Sequence, residues 1–298
     1  MHELSQAIKY RSEYILFLLL STLVRTLPLR IALALGSYFG TLIYFAQPRR
    51  RKKARTNMRR AFPEKSEEEC RLLLRENFRQ LGITAIEMLR LDLYQDAKTA
   101  KESFIVSGIE HVQEALSHGH GCFLLTGHIG FWEAGSILMP MHGIPTDLIY
   151  KHMKNPLVEK KVLALREANG TRAIEKNHAA RKILRSLNEN RAVAVLIDQR
   201  VSKREGVLVN FFDRPVLATP IIALMAIKQG TPIVSAFSVR LPDHRYEIVF
   251  APKITFPQEA NPSRETIIAA TQLLTDQIEA AVRRRPEQWF WVHDRWRL

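Results

Sequence analysis

Two residues that could carry chemistry stand close together near the middle of the chain. Gly127-His128-Ile129-Gly130-Phe131-Trp132-Glu133 places an imidazole and a carboxylate on either side of four residues. If His128 sits where a strand gives way to a helix, its ring can fold back toward Glu133. The carboxylate would then keep one imidazole nitrogen protonated, and the other nitrogen could take a proton from a hydroxyl. We therefore predict His128 and Glu133 as a catalytic pair.

The surroundings of this pair distinguish it from a chance match. With ten His and thirty Asp/Glu in 298 residues, about one such pair is expected by chance. His142 and Asp147 form a second pair, but they flank a glycine-proline connection that is typical of a surface loop. His128 instead follows the apolar run GCFLLT. Gly130 would leave room for substrate, and a following helix N-terminus would offer N–H groups to an oxyanion. The alternative is a structural histidine beside an unrelated glutamate.

Polar and aromatic side chains near other predicted strand ends are candidates for substrate binding. In a parallel sheet, ligands bind beyond the carboxyl ends of the strands. Two such groups follow apolar runs, and they comprise Asp198, Gln199 and Arg200 in one and Tyr150, Lys151, Lys154 and Asn155 in the other. The first group could equally be a salt-bridged turn. Phe211 and Phe212 lie in the segment 206–220, which suits an ordered loop over an acyl channel or one that plugs the core.

The sequence motifs of several other chemistries are absent. The chain has no GxSxG for a serine nucleophile and no GxGxxG or GxxxxGK[ST] for a nucleotide. Its two cysteines, Cys70 and Cys122, form no metal-ligand spacing and favour a reducing compartment. We predict neither a metal nor a cofactor.

The pattern of apolar runs predicts an α/β fold, in which a mostly parallel sheet is flanked by helices. Buried strands that alternate with helices are typical of such sheets. Strands are predicted at 121–126, 147–150, 192–197, 232–239 and 246–250. Helices are predicted at 66–90, 131–141, 156–168, 178–190 and 220–229. Ser66 and Glu69 form a capping box at the start of the first helix.

The N-terminal region is apolar and then strongly basic. Two apolar runs, Tyr14 to Val24 and Leu29 to Ala46, precede the cluster Arg49 to Lys53. This order is typical of a juxtamembrane segment facing anionic lipid. The runs could form a spanning helix, a helical hairpin in the cytoplasmic leaflet, or a buried core hairpin. We predict a membrane anchor at 1–47, a basic linker and helical region at 48–100, and an α/β domain at 101–298.

The distribution of charge argues against nucleic acid as a partner. Residues 1–60 hold 12 Lys/Arg against 2 Asp/Glu, so this segment carries most of the formal net charge of +14. A nucleic-acid binder would spread such charge over a folded face with interleaved aromatic residues.

Four ordered blocks resemble the lipid A late acyltransferase family of the lysophospholipid acyltransferase superfamily. These blocks are GHIGFWE, YKHMKNP, LIDQR with GVLVNFFDRPVLATP, and PEQWFWVHDRW. The resemblance implies that a hydroxyl of a membrane lipid, with a lipid A precursor as the leading acceptor, attacks an acyl thioester without a covalent acyl-enzyme. It implies acyl carrier protein as donor, with acyl coenzyme A as the alternative, and a place on the cytoplasmic face of a bacterial inner membrane.

The resemblance leaves the acceptor open, because the family also acylates other glycolipids and membrane lipids. Arg200 stands where a small or acidic residue is more usual. Lys151, Lys154 and Arg200 are expected to contact acceptor phosphates or the phosphopantetheine of the donor. An acyl thioesterase and a non-catalytic, membrane-tethered binding protein are the remaining alternatives.

Overall fold

The computed structural model describes residues 2–177 and 179–297 and contains eleven α-helices and nine strands in these ranges. The helices are α1 His2–Thr26, α2 Leu29–Ala46, α3 Pro48–Ala61, α4 Glu67–Met88, α5 Ala97–Ser103, α6 Ile109–Leu116, α7 Gly135–Met141, α8 Pro156–Glu167, α9 Ala179–Asn188, α10 Ile221–Gln229 and α11 Arg264–Arg284. The strands are β1 Phe104–Ser107, β2 Cys122–Thr126, β3 Thr146–Tyr150, β4 Arg172–Glu175, β5 Ala192–Leu196, β6 Val207–Phe211, β7 Arg214–Ala218, β8 Ile233–Arg240 and β9 Tyr246–Phe250.

Seven strands form one central sheet in the order β1-β9-β8-β2-β5-β3-β4. All neighbouring pairs are parallel except β8 and β9. β2 and β5 are adjacent, and their last residues, Thr126 and Leu196, are in register. Residues that follow these two strands therefore emerge side by side at one edge of the sheet. The predicted mostly parallel α/β fold is confirmed.

The sheet separates two apolar layers. One face packs against α9, α10 and α11 through residues such as Val195, Ile183 and Ile278. The other face packs against α6 and α7 through Leu124, Val112 and Leu138. Strands buried on both faces explain why the runs GCFLLT and AVAVLI contain no polar alternation.

The predicted strands and helices are present, with ends shifted by a few residues. The helix predicted at 131–141 is shorter, because α7 begins only at Gly135 after a 3₁₀ turn at Trp132–Ala134. Position 178, the start of another predicted helix, lies outside the described residues. The capping box of Ser66 and Glu69 is confirmed. Beyond the region 48–100, four strands and the helices α6 and α11 were not predicted, although Thr271, Leu274, Ile278 and Val282 of α11 are buried at helical spacing.

The predicted ordered loop at 206–220 is an antiparallel hairpin of β6 and β7. Phe212 and Asp213 turn the chain at positive φ angles of 52° and 55°. The hairpin is fastened to α11, where Gln272 exchanges hydrogen bonds with the backbone of Asn210. Alternating burial along β6, with Val209 and Phe211 inward, follows from the pleat of a strand.

The N-terminal helices α1 and α2 lie against the rest of the molecule rather than apart from it. α2 approaches α4 closely because both helices carry glycine at their contact, and a Cβ atom on Gly40 would lie 2.1 Å from the carbonyl oxygen of Phe78. A Cβ atom on Gly82 would likewise lie 2.1 Å from the carbonyl oxygen of Gly36. The Gly36-x-x-x-Gly40 spacing therefore serves packing within this chain.

The opposite sides of α1 and α2 are apolar and exposed. The exposed large side chains on these two helices are Leu4, Ile8, Ile15, Leu16, Leu19, Leu20, Leu23, Ile31, Tyr38, Phe39, Leu42, Ile43 and Phe45. Within the described part of the chain, α2 is the one helix that is long and apolar enough to cross a membrane. The basic helix α3 follows directly, and Arg49, Arg50 and Lys52 are exposed on it. An exposed apolar surface of this extent is typical of contact with a partner or a membrane.

Candidate active site

His128 lies in an irregular loop at the carboxyl edge of the sheet, two residues after β2. It does not open a helix as predicted, because α7 begins seven residues later. The loop is held in place where Gly130 adopts a φ of 56° and donates its N–H to Gln288, while a Cβ atom there would lie 2.1 Å from the carbonyl oxygen of Ser238. Gly130 therefore permits close packing of the loop on β8, which corrects its predicted role as space for substrate.

The carboxylate that holds the His128 ring is Asp198, which follows β5. The two atoms Nδ1 of His128 and Oδ1 of Asp198 are 2.8 Å apart. Oδ2 of Asp198 accepts the backbone N–H of His128 at 2.8 Å and the indole N–H of Trp289 at 2.9 Å. Because β2 and β5 are neighbours in register, the two residues meet although 70 positions separate them in the chain.

The Asp198 carboxylate and the His128 ring each shift the pKa of the other. Burial alone would lower the pKa of His128, but the charge and hydrogen bond of Asp198, together with the charge of Glu133, outweigh it and raise the pKa. Burial would raise the pKa of Asp198, yet the facing imidazole and the hydrogen bonds from His128 and Trp289 lower it to about 2. Asp198 is therefore a buried carboxylate that stays ionised.

Glu133 does not make the predicted hydrogen bond to His128. It lies in the 3₁₀ turn before α7, and Arg166 of α8 grips it through two hydrogen bonds of 2.7 and 2.5 Å. This bidentate pair is buried, with 6% of the Glu133 side chain exposed. Burial would lower the pKa of Arg166, but the charge and hydrogen bonds of Glu133 raise it, so Arg166 remains charged. The charge of Glu133 contributes to the raised pKa of His128.

The second ring nitrogen of His128 faces an amide rather than an acid. Nε2 of Gln199 donates to Nε2 of His128 across 3.1 Å. The ionised Asp198 carboxylate only accepts hydrogen bonds, so in the neutral ring the proton resides on Nδ1 and Nε2 is the acceptor. The side chain of His128 is 21% exposed. The tautomer and the exposure together leave Nε2 ready to accept a proton from a hydroxyl that displaces Gln199.

The C-terminal segment 286–297 forms the support beneath this site. Trp289 fixes Asp198, and buried Arg295 donates to the carbonyl oxygens of Gln199 and Leu217. His293 accepts the backbone N–H of Arg200 at 2.8 Å, and burial lowers the pKa of His293 so that it stays neutral. The block PEQWFWVHDRW therefore positions the residues after β5.

A cavity of about 880 Å³ opens beside His128 and continues into both apolar layers. Its rim is polar and includes Tyr150, Lys151, Gln199 and Arg200. Its interior is largely aliphatic, with Leu138 and Met139 on one side of the sheet and Leu224 and Met225 on the other. A volume of this size and a polar mouth suit an amphipathic ligand.

The remaining predicted substrate contacts divide between rim and scaffold. Lys154 is exposed beyond the cavity. Asn155 is buried. Its side chain caps α8 and donates to the carbonyl oxygen of Tyr10 in α1, so its predicted role in substrate binding is corrected to a structural one. The predicted substrate contact of Phe211 and Phe212 is also corrected. Both side chains pack with Trp289, Trp291 and Trp296 in the core and do not line the cavity.

The positions of the other candidate residues agree with their interpretation as non-catalytic. His142 is exposed after α7, whereas Asp147 is buried and bonded to Arg172 and Arg191. Cys122 is buried in β2, and burial raises the pKa of its thiol to about 12, so it does not ionise near neutral pH.

Sequence reasoning missed Arg166 and the support that Trp289 gives to Asp198. Arg166 stands in the middle of the predicted helix 156–168, and nothing in its neighbourhood marks it as a partner of Glu133. The place of Asp198 after the clearest apolar run was a usable signal, but a strand-end position alone predicts contact with substrate and not with the histidine.

The fold and this site define a class of α/β protein in which a buried carboxylate orients a histidine at the carboxyl edge of the sheet, beside a largely apolar cavity. The chain matches the family described as bacterial lipid A biosynthesis acyltransferase over residues 1–298. It therefore belongs to the bacterial lipid A biosynthesis acyltransferase family, and it is an O-acyltransferase.

Characterised relatives agree with this membership. The chain is 26% identical to the lipid A biosynthesis palmitoleoyltransferase of Escherichia coli (strain K12) over 273 residues, which cover 91% of this chain and 86% of that protein. It is 24% identical to the lipid A biosynthesis lauroyltransferase of the same organism, with coverage of 92% and 88%. It is also 25% identical to the phosphatidylinositol mannoside acyltransferase of Mycobacterium tuberculosis (strain ATCC 25618 / H37Rv), with coverage of 70% and 66%.

Proposed function

We propose that the protein transfers a fatty acyl chain from acyl carrier protein to a hydroxyl of a lipid A precursor, with His128 as general base. The observation that carries this proposal is the orientation of His128, whose Nδ1 faces a buried carboxylate while its Nε2 faces the cavity. The proposed acceptor follows the names of the lipid A relatives, which include a palmitoleoyltransferase and a lauroyltransferase.

The chemical step follows from this orientation. The acceptor hydroxyl replaces Gln199 at Nε2 of His128 and loses its proton to that nitrogen as its oxygen attacks the thioester carbonyl carbon. A C–O bond forms, and the C–S bond breaks with its electron pair leaving on sulfur. The imidazolium then returns the proton to the thiolate, so that the free thiol leaves. No bond forms between the acyl group and the protein.

Two carboxylates stabilise the imidazolium in this scheme. Asp198 orients the ring and faces the proton on Nδ1 at hydrogen-bonding distance. Glu133 belongs to the proposed catalytic group through its charge, which favours the protonated ring from a greater distance. Arg166 holds Glu133 at the wall of the cavity through two hydrogen bonds.

Transfer assays with purified protein test the function and separate its alternatives. Laurate-loaded acyl carrier protein should yield an acylated lipid A precursor, detected by mass spectrometry, and little free acid. Acylation of a phosphatidylinositol mannoside alone would make that glycolipid the acceptor instead. Free acid released at the same rate with and without acceptor would identify a thioesterase, and no turnover with any acceptor would contradict an active transferase.

Basic residues near the site support a protein donor, since acyl carrier protein is strongly acidic. Lys203 and Arg204 are exposed just beyond Arg200, and Lys151 and Lys160 are exposed after β3. A protein donor needs such an extended patch, and its association rate falls steeply with salt.

Reversing Lys203 and Arg204 to glutamate should raise KM for acyl carrier protein about tenfold and leave KM for acyl coenzyme A within about twofold. The effect arises because the reversals repel the acidic protein before it docks. Steady-state kinetics at low and moderate salt measure both constants. Reversal of Arg264 and Lys228, exposed cations away from the rim, is the matched control. Equal shifts for both donors would contradict docking at this patch.

The membrane anchor remains part of the proposal, and its support is the exposed apolar surface of α1 and α2. One side of α2 is fixed to α4 by close glycine contacts, while the other side presents residues such as Phe39 and Ile43. Together with basic α3, this arrangement favours a hairpin in the cytoplasmic leaflet, with Arg49 and Arg50 at the level of anionic headgroups.

Replacing Leu19, Phe39 and Ile43 with serine should weaken binding to anionic vesicles by about 10- to 100-fold, because each change removes apolar surface from the lipid. Vesicle flotation of the full chain measures the effect. Serine at Leu72, an exposed leucine of α4, serves as the control. Unchanged flotation of a folded triple variant would contradict the anchor.

A further inference from the structure

One part of the cavity runs between α7 and the sheet, and we call it the α7 arm. Gly135, Leu138 and Met139 of α7 line it on one side. Leu124, Leu148, Ala194 and Ala236 of the sheet line the other. Apart from hydroxyl residues such as Ser136 and Thr146, these walls are aliphatic, so the α7 arm suits a hydrocarbon chain.

The register of the strands shows where the α7 arm ends. Leu124, Ala194 and Leu148 share one row across β2, β5 and β3, and Cys122, Ala192 and Thr146 share the next row on the same face. Ala194 and Leu148 stay partly exposed, although they lie on central strands beneath a helix. In the next row the exposures fall to 0%, 0% and 1%. Thr146 lines the cavity, whereas Cys122 and Ala192 do not, so this row forms the closed end of the α7 arm.

Gly135 is a glycine that the local backbone does not require. It has φ −58° and ψ −36°, which any residue adopts in a helix. A Cβ atom placed on it would meet no atom within 4 Å. Leu138 and Met139, one turn further, line the α7 arm and are buried, so Gly135 faces the same space. Glycine weakens a helix relative to alanine, and the space it keeps open is the feature that explains its presence.

We infer that the α7 arm holds the acyl chain that is transferred, and that Gly135 and Ala194 set its width and depth for a chain of about twelve carbons. This inference rests on the proposed function. Six residues separate Ala192, at the closed end, from Asp198, at the level of the His128 ring, a distance of about 20 Å in a strand. The attacking oxygen and the reacting carbonyl occupy about 6 Å of it.

The remaining depth fixes the chain length. About 14 Å is left for the chain, and an extended hydrocarbon advances about 1.25 Å per carbon, given a C–C bond of about 1.5 Å and a tetrahedral angle. Eleven or so steps after the carbonyl carbon therefore reach the closed end. A longer chain would have to displace the fully buried row.

A series of acyl carrier protein donors carrying 8, 10, 12, 14 or 16 carbons tests the inference with the full-length protein in vesicles. We expect kcat/KM to be highest at about twelve carbons and at least about tenfold lower at sixteen. Transfer that is equal or faster with sixteen carbons would overturn the inference while leaving the proposed function intact. No transfer with any donor would overturn the proposed function and the inference with it.

Ala194→Leu places a larger side chain one row above the closed end and shortens the α7 arm by about 6.6 Å. This shortening removes about five carbons, so the preference should move to the eight-carbon donor, the shortest of the series, and the twelve-to-eight ratio of kcat/KM should fall about tenfold or more. Ala164→Leu, at an exposed position of α8, should leave that ratio unchanged. An unchanged ratio in folded Ala194→Leu would overturn the inference.

Gly135→Ala is a second variant, chosen because it should fold as well as the wild-type protein. Alanine favours the helix and meets no neighbouring atom, so the melting temperature should stay equal or rise. Transfer of the twelve-carbon chain should nevertheless fall several-fold relative to the eight-carbon chain. An equal effect on both chains would place Gly135 outside the determinant of length.

Discussion

Replacing His128 with alanine should lower kcat/KM for acyl transfer by about 10²–10⁴-fold, because the variant has no group to take the proton of the acceptor hydroxyl. The fold should survive, since the side chain is 21% exposed. Asp198 would also keep the two N–H donors on Oδ2, from the backbone of position 128 and from Trp289. Product formation by mass spectrometry and the melting temperature measure the two effects.

His142→Ala is the matched control for this substitution. His142 is exposed in the loop after α7, and its loss should leave kcat/KM within about twofold. If a folded His128→Ala protein transferred acyl chains at a near-normal rate, His128 could not be the general base.

Asp198→Asn should lower kcat/KM about as much, by roughly 10²–10⁴-fold, for a reason that lies in the hydrogen bonds. Oδ2 accepts two N–H groups, from His128 and Trp289, so the asparagine oxygen must occupy that position. The NH₂ group then faces Nδ1 of His128 and donates to it. The imidazole proton moves to Nε2, the nitrogen that must accept the hydroxyl proton. The variant therefore keeps its fold, but Nε2 of His128 can no longer accept the hydroxyl proton.

The pH dependence of transfer reports the same interaction. The neutral imidazole is the active form, so kcat/KM should rise with pH through the pKa of His128, which lies above its ordinary value of 6.5. Removing the charge of Asp198 removes the main cause of that increase, and the acid limb of the residual activity should move to lower pH. An acid limb at the same pH in wild type and Asp198→Asn would contradict this assignment.

Glu133→Gln separates the two carboxylates. It leaves the hydrogen bonds of His128 and Asp198 in place, so the tautomer is preserved. It also leaves Arg166 buried without its charged partner, which commonly destabilises a protein by about 3–5 kcal/mol. We therefore expect Glu133→Gln to lower both the melting temperature and kcat/KM, whereas Asp198→Asn lowers chiefly kcat/KM. A strong loss of activity without a loss of stability would give Glu133 a more direct part in the reaction.

The sequence determined the elements whose signals are local. Buried strands such as Cys122–Thr126 and Ala192–Leu196 appear as short apolar runs because both of their faces are covered. The helix α4 appears through its capping box and spacing. The position of His128 directly after β2 followed from the same reasoning, as did the apolar and basic order of the N-terminal segment.

Only the tertiary structure decided which acid meets His128. Residues five apart in sequence, such as His128 and Glu133, have their relative direction set by the loop between them, and here Gly130 packs that loop on Ser238. Asp198 lies 70 positions away and reaches the ring because β2 and β5 pair in parallel register. Strand order and register arise from the packing of the whole chain, so no local pattern contains them. For the same reason, the sequence alone could not predict the hydrogen bond from Trp289 to Asp198 or the open space beside Gly135.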